Sequence, residues 1–130
     1  MLFDKKVLLA DNQTITSDAA GTVGGSAAVL ELGGDDYSKS WIAIVVKAAV
    51  TGAGSVAVIL QTNATDSTFA AGTVNLHTET LTATNGTLGK VIAFRVPLGL
   101  KKYTRVYFDV TGTVSTGKAT VGITDGVQTA

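Results

Sequence analysis

The chain's single histidine, His77, lies two residues before Glu79 in the segment Val74-Asn75-Leu76-His77-Thr78-Glu79. Residues two apart on a strand share a face, so this imidazole and carboxylate can pair. Acid–base or metal chemistry would have to rest on them. A zinc site takes about three protein ligands, and with one histidine and no cysteine only carboxylates remain to complete it. His77 therefore reads as an exposed strand histidine. Asp35 and Asp36 follow Gly33-Gly34, and Asp11 and Asp18 flank another loop. Calcium takes loop oxygens, but the D-x-[DN]-x-[DN]-G spacing is missing. These carboxylates read as turn stabilisers. Lys101, Lys102 and Arg105, with Arg95 nearby in sequence, form the basic cluster, and Tyr103 and Tyr107 interleave with it. Basic residues among aromatics can hold single-stranded nucleic acid. The cluster is short and the chain neutral, so an acidic protein partner fits it better, and an ordinary solvated strand end stands as an equal alternative. No serine sits in a G-x-S-x-G elbow. Gly52-Ala53-Gly54-Ser55 lacks the lysine of a phosphate loop. The Asn-x-Thr triplets at Asn12, Asn63 and Asn85 are chance matches in a Thr-rich chain. No enzyme, catalytic residue, metal ligand or cofactor is expected.

The elements that would carry these residues are strands. Thr and Val, rich here, suit a pleated, half-buried surface, and hydrophobic residues recur with period two rather than 3.6. The clearest strand is 41–50. Ile42, Ile44, Val46, Ala48 and Val50 lie on one face, and Trp41, Ala43, Val45 and Lys47 on the other, which predicts a central strand. A turn at Gly52-Ala53-Gly54 and a strand over 55–63, with Val56, Val58 and Leu60 inward, make this pair read as a β-hairpin. Further strands are predicted over 91–96, 103–111 and 118–124, with weaker candidates at 7–9, 13–16, 28–32 and 74–81. In the strand 103–111, Val106, Phe108 and Val110 face inward and Tyr103, Arg105, Tyr107 and Asp109 outward. The expected core is Ile42, Ile44, Val46, Val58, Leu60, Ile92, Phe94, Val106, Phe108 and Ile123. Residues 66–71 offer at most one helical turn, with Asp66 as N-cap, and 21–25 read as a flexible loop.

Length and composition narrow the classes. The 130 residues suit one domain. The 45% hydrophobic content is too high for disorder. Ten basic residues balance ten acidic ones, without the basic excess of a nucleic-acid binder. Zero net charge leaves little protection against association. The start, Met1-Leu2-Phe3-Asp4-Lys5-Lys6, lacks the apolar stretch of a signal peptide. The apolar run 41–50 falls well short of the roughly 20 residues of a membrane-crossing helix. No nucleic acid and no membrane is expected among the partners.

The order of segments resembles the small jelly-roll capsid cement, or decoration, proteins of tailed bacteriophages. The likeness runs through Met1-Leu2-Phe3-Asp4, Ala10-Asp11-Asn12-Gln13-Thr14-Ile15-Thr16 and Val29-Leu30-Glu31-Leu32-Gly33. It continues in Leu60-Gln61-Thr62-Asn63, Pro97-Leu98-Gly99-Leu100, Tyr103-Thr104-Arg105-Val106 and Lys118-Ala119-Thr120-Val121. Glu31 stands where the family pattern leads one to expect Asp. The resemblance implies a jelly roll on the outer face of an HK97-type capsid, bridging capsomers, with neither catalysis nor cofactor.

The expectations are thus an all-β, antiparallel jelly-roll β-sandwich of about eight strands, one domain over 1–130 with a short N-terminal arm. The expected function is that of a structural virion protein. It would bind the major capsid protein on the outer capsid surface after assembly in the host cytoplasm. It would also bind itself, as a dimer rather than a trimer, because closed twofold contacts are the commonest. The candidate contact residues are Leu2 and Phe3 in the arm and Lys101, Lys102 and Arg105 at the basic strand end. Two other classes stay open: a carbohydrate-binding or adhesion module, since jelly rolls also serve lectins, and a small head–tail or tail structural protein.

Overall fold

The computed structural model describes residues 8–31 and 40–124. Among these residues there is no helix. The strands are β1 (Leu8–Thr14), β2 (Ala19–Ala20), β3 (Thr22–Val23), β4 (Ser26–Ala27), β5 (Leu30–Glu31) and β6 (Trp41–Thr51), then β7 (Ser55–Asn63), β8 (Val74–Leu81), β9 (Val91–Arg95), β10 (Tyr103–Thr111) and β11 (Thr116–Thr124). One sheet has the order β1-β11-β6-β9. The other has the order β2-β10-β7-β8, with β5 also on β10, and β3 and β4 pair separately. All described pairings are antiparallel. The fold is the expected all-β sandwich, and its strand order is compatible with a jelly roll.

Register explains why the two sheets share one core. In the first sheet Ile42, Ile44 and Val46 stand opposite Ile123, Val121 and Ala119. In the second, Val56, Val58 and Leu60 stand opposite Val110, Phe108 and Val106. Directly opposed residues project to the same face, so each sheet presents one aliphatic face. The two faces merge into a single cluster that also takes in Leu9, Ile15, Leu81 and Val114. Each such side chain contributes about 1.5–3 kcal/mol on burial. Eight of the ten expected core residues are buried. Ile92 and Phe94 are only partly buried and pack against the cluster, because β9 is the edge strand of its sheet.

The predicted hairpin of 41–50 with 55–63 does not form. The two strands enter opposite sheets, β6 between β11 and β9, and β7 between β10 and β8. Crossing at the corner lets their apolar faces meet across the core, which pairing side by side would prevent. The corner is tight. The Gly54 N–H donates to the Thr113 carbonyl at 2.8 Å, and a Cβ on Gly54 would lie 2.7 Å from the Thr113 nitrogen. The consecutive strands that do pair are β3 with β4 and β7 with β8.

Other expectations are revised locally. The weak candidates 8–9 and 13–16 fall within or beside a single strand, β1, whose register shifts on either side of Ala10, while Val7 lies outside the described residues. Residues 21–25, read as a flexible loop, contain β3 and a Gly24-Gly25 turn with φ of 61° and 82°, the positive dihedrals that a two-residue hairpin turn demands. The Gln13 side chain accepts the Thr22 N–H at 2.8 Å and donates to the Ala20 carbonyl at 2.9 Å, tying this segment to β1. No helical turn forms at 66–71.

Candidate interaction surface

Alternation on β10 turns Tyr103, Arg105, Tyr107 and Asp109 to the outer face of the second sheet, opposite Asn63, Gln61, Ile59 and Ala57 of β7. Cross-strand pairing brings Arg105 to Gln61, where Arg105 Nε donates to Gln61 Oε1 at 2.8 Å. Gln61 Nε2 in turn donates to Asn75 Oδ1 on β8 at 3.1 Å.

The segment after β7 folds back over this face. Asn63 Oδ1 accepts the N–H groups of Thr65 and Asp66 at 3.0 and 2.9 Å, while Asn63 Nδ2 donates to the Ala71 carbonyl at 2.6 Å. Asp66 then organises the tip. One carboxylate oxygen accepts the Thr68 hydroxyl and N–H at 2.6 and 2.9 Å. The other accepts the N–H groups of Ala70 and Ala71 at 3.0 and 3.3 Å. These bonds, the Thr68 hydroxyl foremost, hold the Asp66 carboxyl below its ordinary value. Asp66 was expected to cap a helical turn; it caps a non-helical loop instead.

That loop holds Phe69 at φ 59°, a left-handed conformation rare for a residue with a bulky side chain. The ring is only 7% exposed and lies under Arg105, whose guanidinium carbon is 4.3 Å from the ring centroid. Tyr107 contributes a second ring at 5.4 Å. Burial pulls the Arg105 guanidinium down from its ordinary value, and Tyr107 acts in the opposite sense. Beside it, Lys102 Nζ sits 5.2 Å from the centroid of Tyr103. Cation–π contacts of this kind contribute about 0.5–1 kcal/mol when exposed and about 2 or more when desolvated.

The structure gathers Lys102 and Arg105 into this cation–aromatic patch. Lys101 begins the same turn, with its N–H donating to Thr62 Oγ1 at 2.7 Å and its side chain exposed. Arg95 does not join them. It lies on β9 in the other sheet, 4.8 Å from the ring of Trp41. Leu2 and Phe3 lie outside the described residues, as do Asp35 and Asp36. Phe69 was missed as part of the site, because no residue type marks a loop that folds back onto a sheet. Its one sequence signal was Asp66 followed by Ser67 and Thr68.

A family model described as Bbp16 matches residues 9–123. The chain belongs to the Bbp16 family. The match takes in both sheets, the loop of Phe69 and all three residues of the basic strand end, while Leu2 and Phe3 precede it. A search of curated proteins finds no match for this Bbp16 family member.

Two further features lie away from this patch. His77 is not the exposed strand residue expected. It turns toward the inner face at the rim, 35% exposed, and bonds Glu79 Oε1 at 2.8 Å as the spacing allowed. It stacks on Phe94 of the opposite sheet with centroids 3.9 Å apart, because β8 and β9 are the edge strands that meet at one side of the sandwich. Among the described residues no group of three or more His, Cys, Asp or Glu gathers. A shallow depression of about 360 Å³ lies over residues 52–55, 82–84 and 111–112; it is lined by glycine, alanine, serine and threonine and offers neither charge nor aromatic ring. Asp18 uses its carboxylate to accept the Val110 N–H at 2.7 Å, a structural task in keeping with the turn reading.

Proposed function

We propose that this chain is a structural virion protein: a capsid cement, or decoration, protein that binds the outer surface of an HK97-type phage capsid and bridges its capsomers. The reading rests on the resemblance of its segments to that class. The observation that carries it furthest is the preordered patch of Lys102, Tyr103, Arg105, Phe69 and Tyr107 on one outer sheet face, a cluster of cations and rings suited to another protein's surface rather than to a small substrate. A ligand that binds only the assembled shell stabilises that shell by mass action, and many copies on a lattice let each contact be modest. The partners are then the major capsid protein and a second copy of the chain, a dimer in preference to a trimer.

The test is co-sedimentation with empty shells of a phage that encodes the chain. Saturable binding, with shells that resist heat better when decorated, is the expected result. Failure to pellet with shells removes the reading. The adhesion alternative is less well supported, because Tyr103 and Tyr107 each carry a cation over the ring that a sugar would need. A glycan array separates the two.

A further inference from the structure

Arg105 has more donors than the described residues use. Its Nε is committed to Gln61, and the four N–H groups of its two terminal nitrogens have no hydrogen-bond partner among the described residues. Two carboxylates share its face, Glu31 opposite Tyr103 on β5 and Asp109 further along β10. Neither forms an ion pair with it. The reason is geometric. Asp109 is two outward positions away, about 13 Å along the strand at roughly 3.3 Å per residue. Glu31 is diagonal to Arg105 across a strand pair rather than opposite.

The Arg105 guanidinium carbon lies over the Phe69 ring, 4.3 Å from its centroid. A planar guanidinium that meets a ring with its face keeps its in-plane edge free. That edge is the fork that binds a carboxylate through two parallel N–H···O bonds. A stacked guanidinium held by Gln61 has also lost much of the rotamer freedom that docking would otherwise remove. The loop that supplies Phe69 is strained at one residue and tied by at least six hydrogen bonds from Asn63 and Asp66. Backbone strain of this kind persists only where its surroundings over-determine it.

We propose that Arg105 is a preorganised receptor for a single Asp or Glu carboxylate of the protein this chain docks on, with Phe69 and Gln61 as positioning residues. The proposal rests on the capsid reading for the partner's identity, and it names the chemistry the shell must present: an acidic side chain standing clear of its surface. A phosphate backbone fits less well. Nucleic-acid affinity needs several phosphates neutralised together, and this face alternates its cations with Glu31 and Asp109.

Two measurements separate this proposal from the capsid reading. In co-sedimentation with empty shells, Arg105→Lys keeps the charge but removes the fork. It should bind at least about tenfold more weakly than wild type, the ratio expected for a lost charge-assisted hydrogen bond, with an unchanged melting temperature. Phe69→Leu, which stays apolar but removes the ring, should weaken binding by a smaller factor. Equal binding by wild type and Arg105→Lys overturns the receptor and leaves the capsid reading standing. The second measurement needs no shell. The side-chain N–H signals of Arg105 in the free protein are followed by NMR during titration with a hexaglutamate peptide and, separately, with an oligothymidylate. Shifts of the terminal N–H groups with hexaglutamate, lost in Arg105→Lys, support the receptor even if shells are not bound. Silence, or a stronger response to oligothymidylate, overturns it.

Discussion

Two cationic or ionisable side chains stack on aromatic rings at opposite kinds of site in this molecule. His77 stacks on Phe94 at the rim, where the edge strands of the two sheets meet, and its ring nitrogen is bonded to Glu79 on its own strand. Arg105 lies over the ring of Phe69 on an outer face, and its only hydrogen bond among the described residues uses Nε. The first contact is closed: ring, partner ring and carboxylate all belong to the sandwich and hold its edge shut. The second is built with equal care, yet its terminal donors have no hydrogen-bond partner among the described residues. The difference teaches that an aromatic stack is not by itself a sign of binding. What distinguishes the two is whether the described residues supply the carboxylate.

The comparison can be broken at several depths. The deepest cut is Phe108→Ala, on the inner side of the strand that carries Arg105. Phe108 is fully buried, so truncation should cost about 3–5 kcal/mol, measured by denaturant unfolding. A loss under about 1 kcal/mol would show that β10 does not present this face to the core. At Phe69 the strain and the stack can be separated. Phe69→Ala loses the ring and keeps an unfavourable dihedral, whereas Phe69→Gly loses the ring and relaxes it. The glycine variant should therefore be the more stable of the two by about 1 kcal/mol. An alanine variant as stable as the glycine variant would mean that the loop is not strained there. The smallest effect is on Asp66. Its carboxyl is held below the ordinary value in the folded chain, so its contribution is present above the unfolded-state value and is lost as pH falls through the folded one. Amide exchange at Ala70 and Ala71 should quicken in that acid window, relative to amides of β10, while Asp66→Asn should make the two sites insensitive to it. His77 and Phe94, at the other stack, should not respond to either loop variant.

The strands were legible in the sequence because period two is a local signal. Ile42-Ala43-Ile44 and Val106-Tyr107-Phe108 declare their faces without knowledge of any partner. The partners were not legible. The short Gly52-Ala53-Gly54 spacer suits a hairpin by length, and only the core requirement that β6 and β7 face one another sends them to different sheets. The basic strand end was legible as composition, including the outward set Tyr103, Arg105 and Tyr107. Phe69 was not, because its place depends on Asn63 and Asp66 each binding backbone groups several residues away, a pattern without hydrophobic period. Arg95 was grouped with Arg105 for nearness in sequence, and a sheet crossing between them moved it to the other side of the molecule. His77 was misjudged as exposed because an edge strand in one sheet has no sequence mark for the edge strand facing it in the other.

The pairing of β1 with β11 has a consequence in time rather than in space. Asn12 donates its N–H to the Thr120 hydroxyl across 108 residues of chain, and Leu8 stands opposite Gly122. The first described strand of the first sheet has no pairing partner in that sheet until the last one has been made. Such distant closures slow folding, because the chain must give up its loop entropy before any contact rewards it. On a ribosome, β7, β8 and β10 can meet early, whereas β1 must wait with its aliphatic residues Leu8 and Leu9 uncovered. The second sheet, and with it the face of Arg105, is then expected to form first and to serve as the template on which the other sheet is laid.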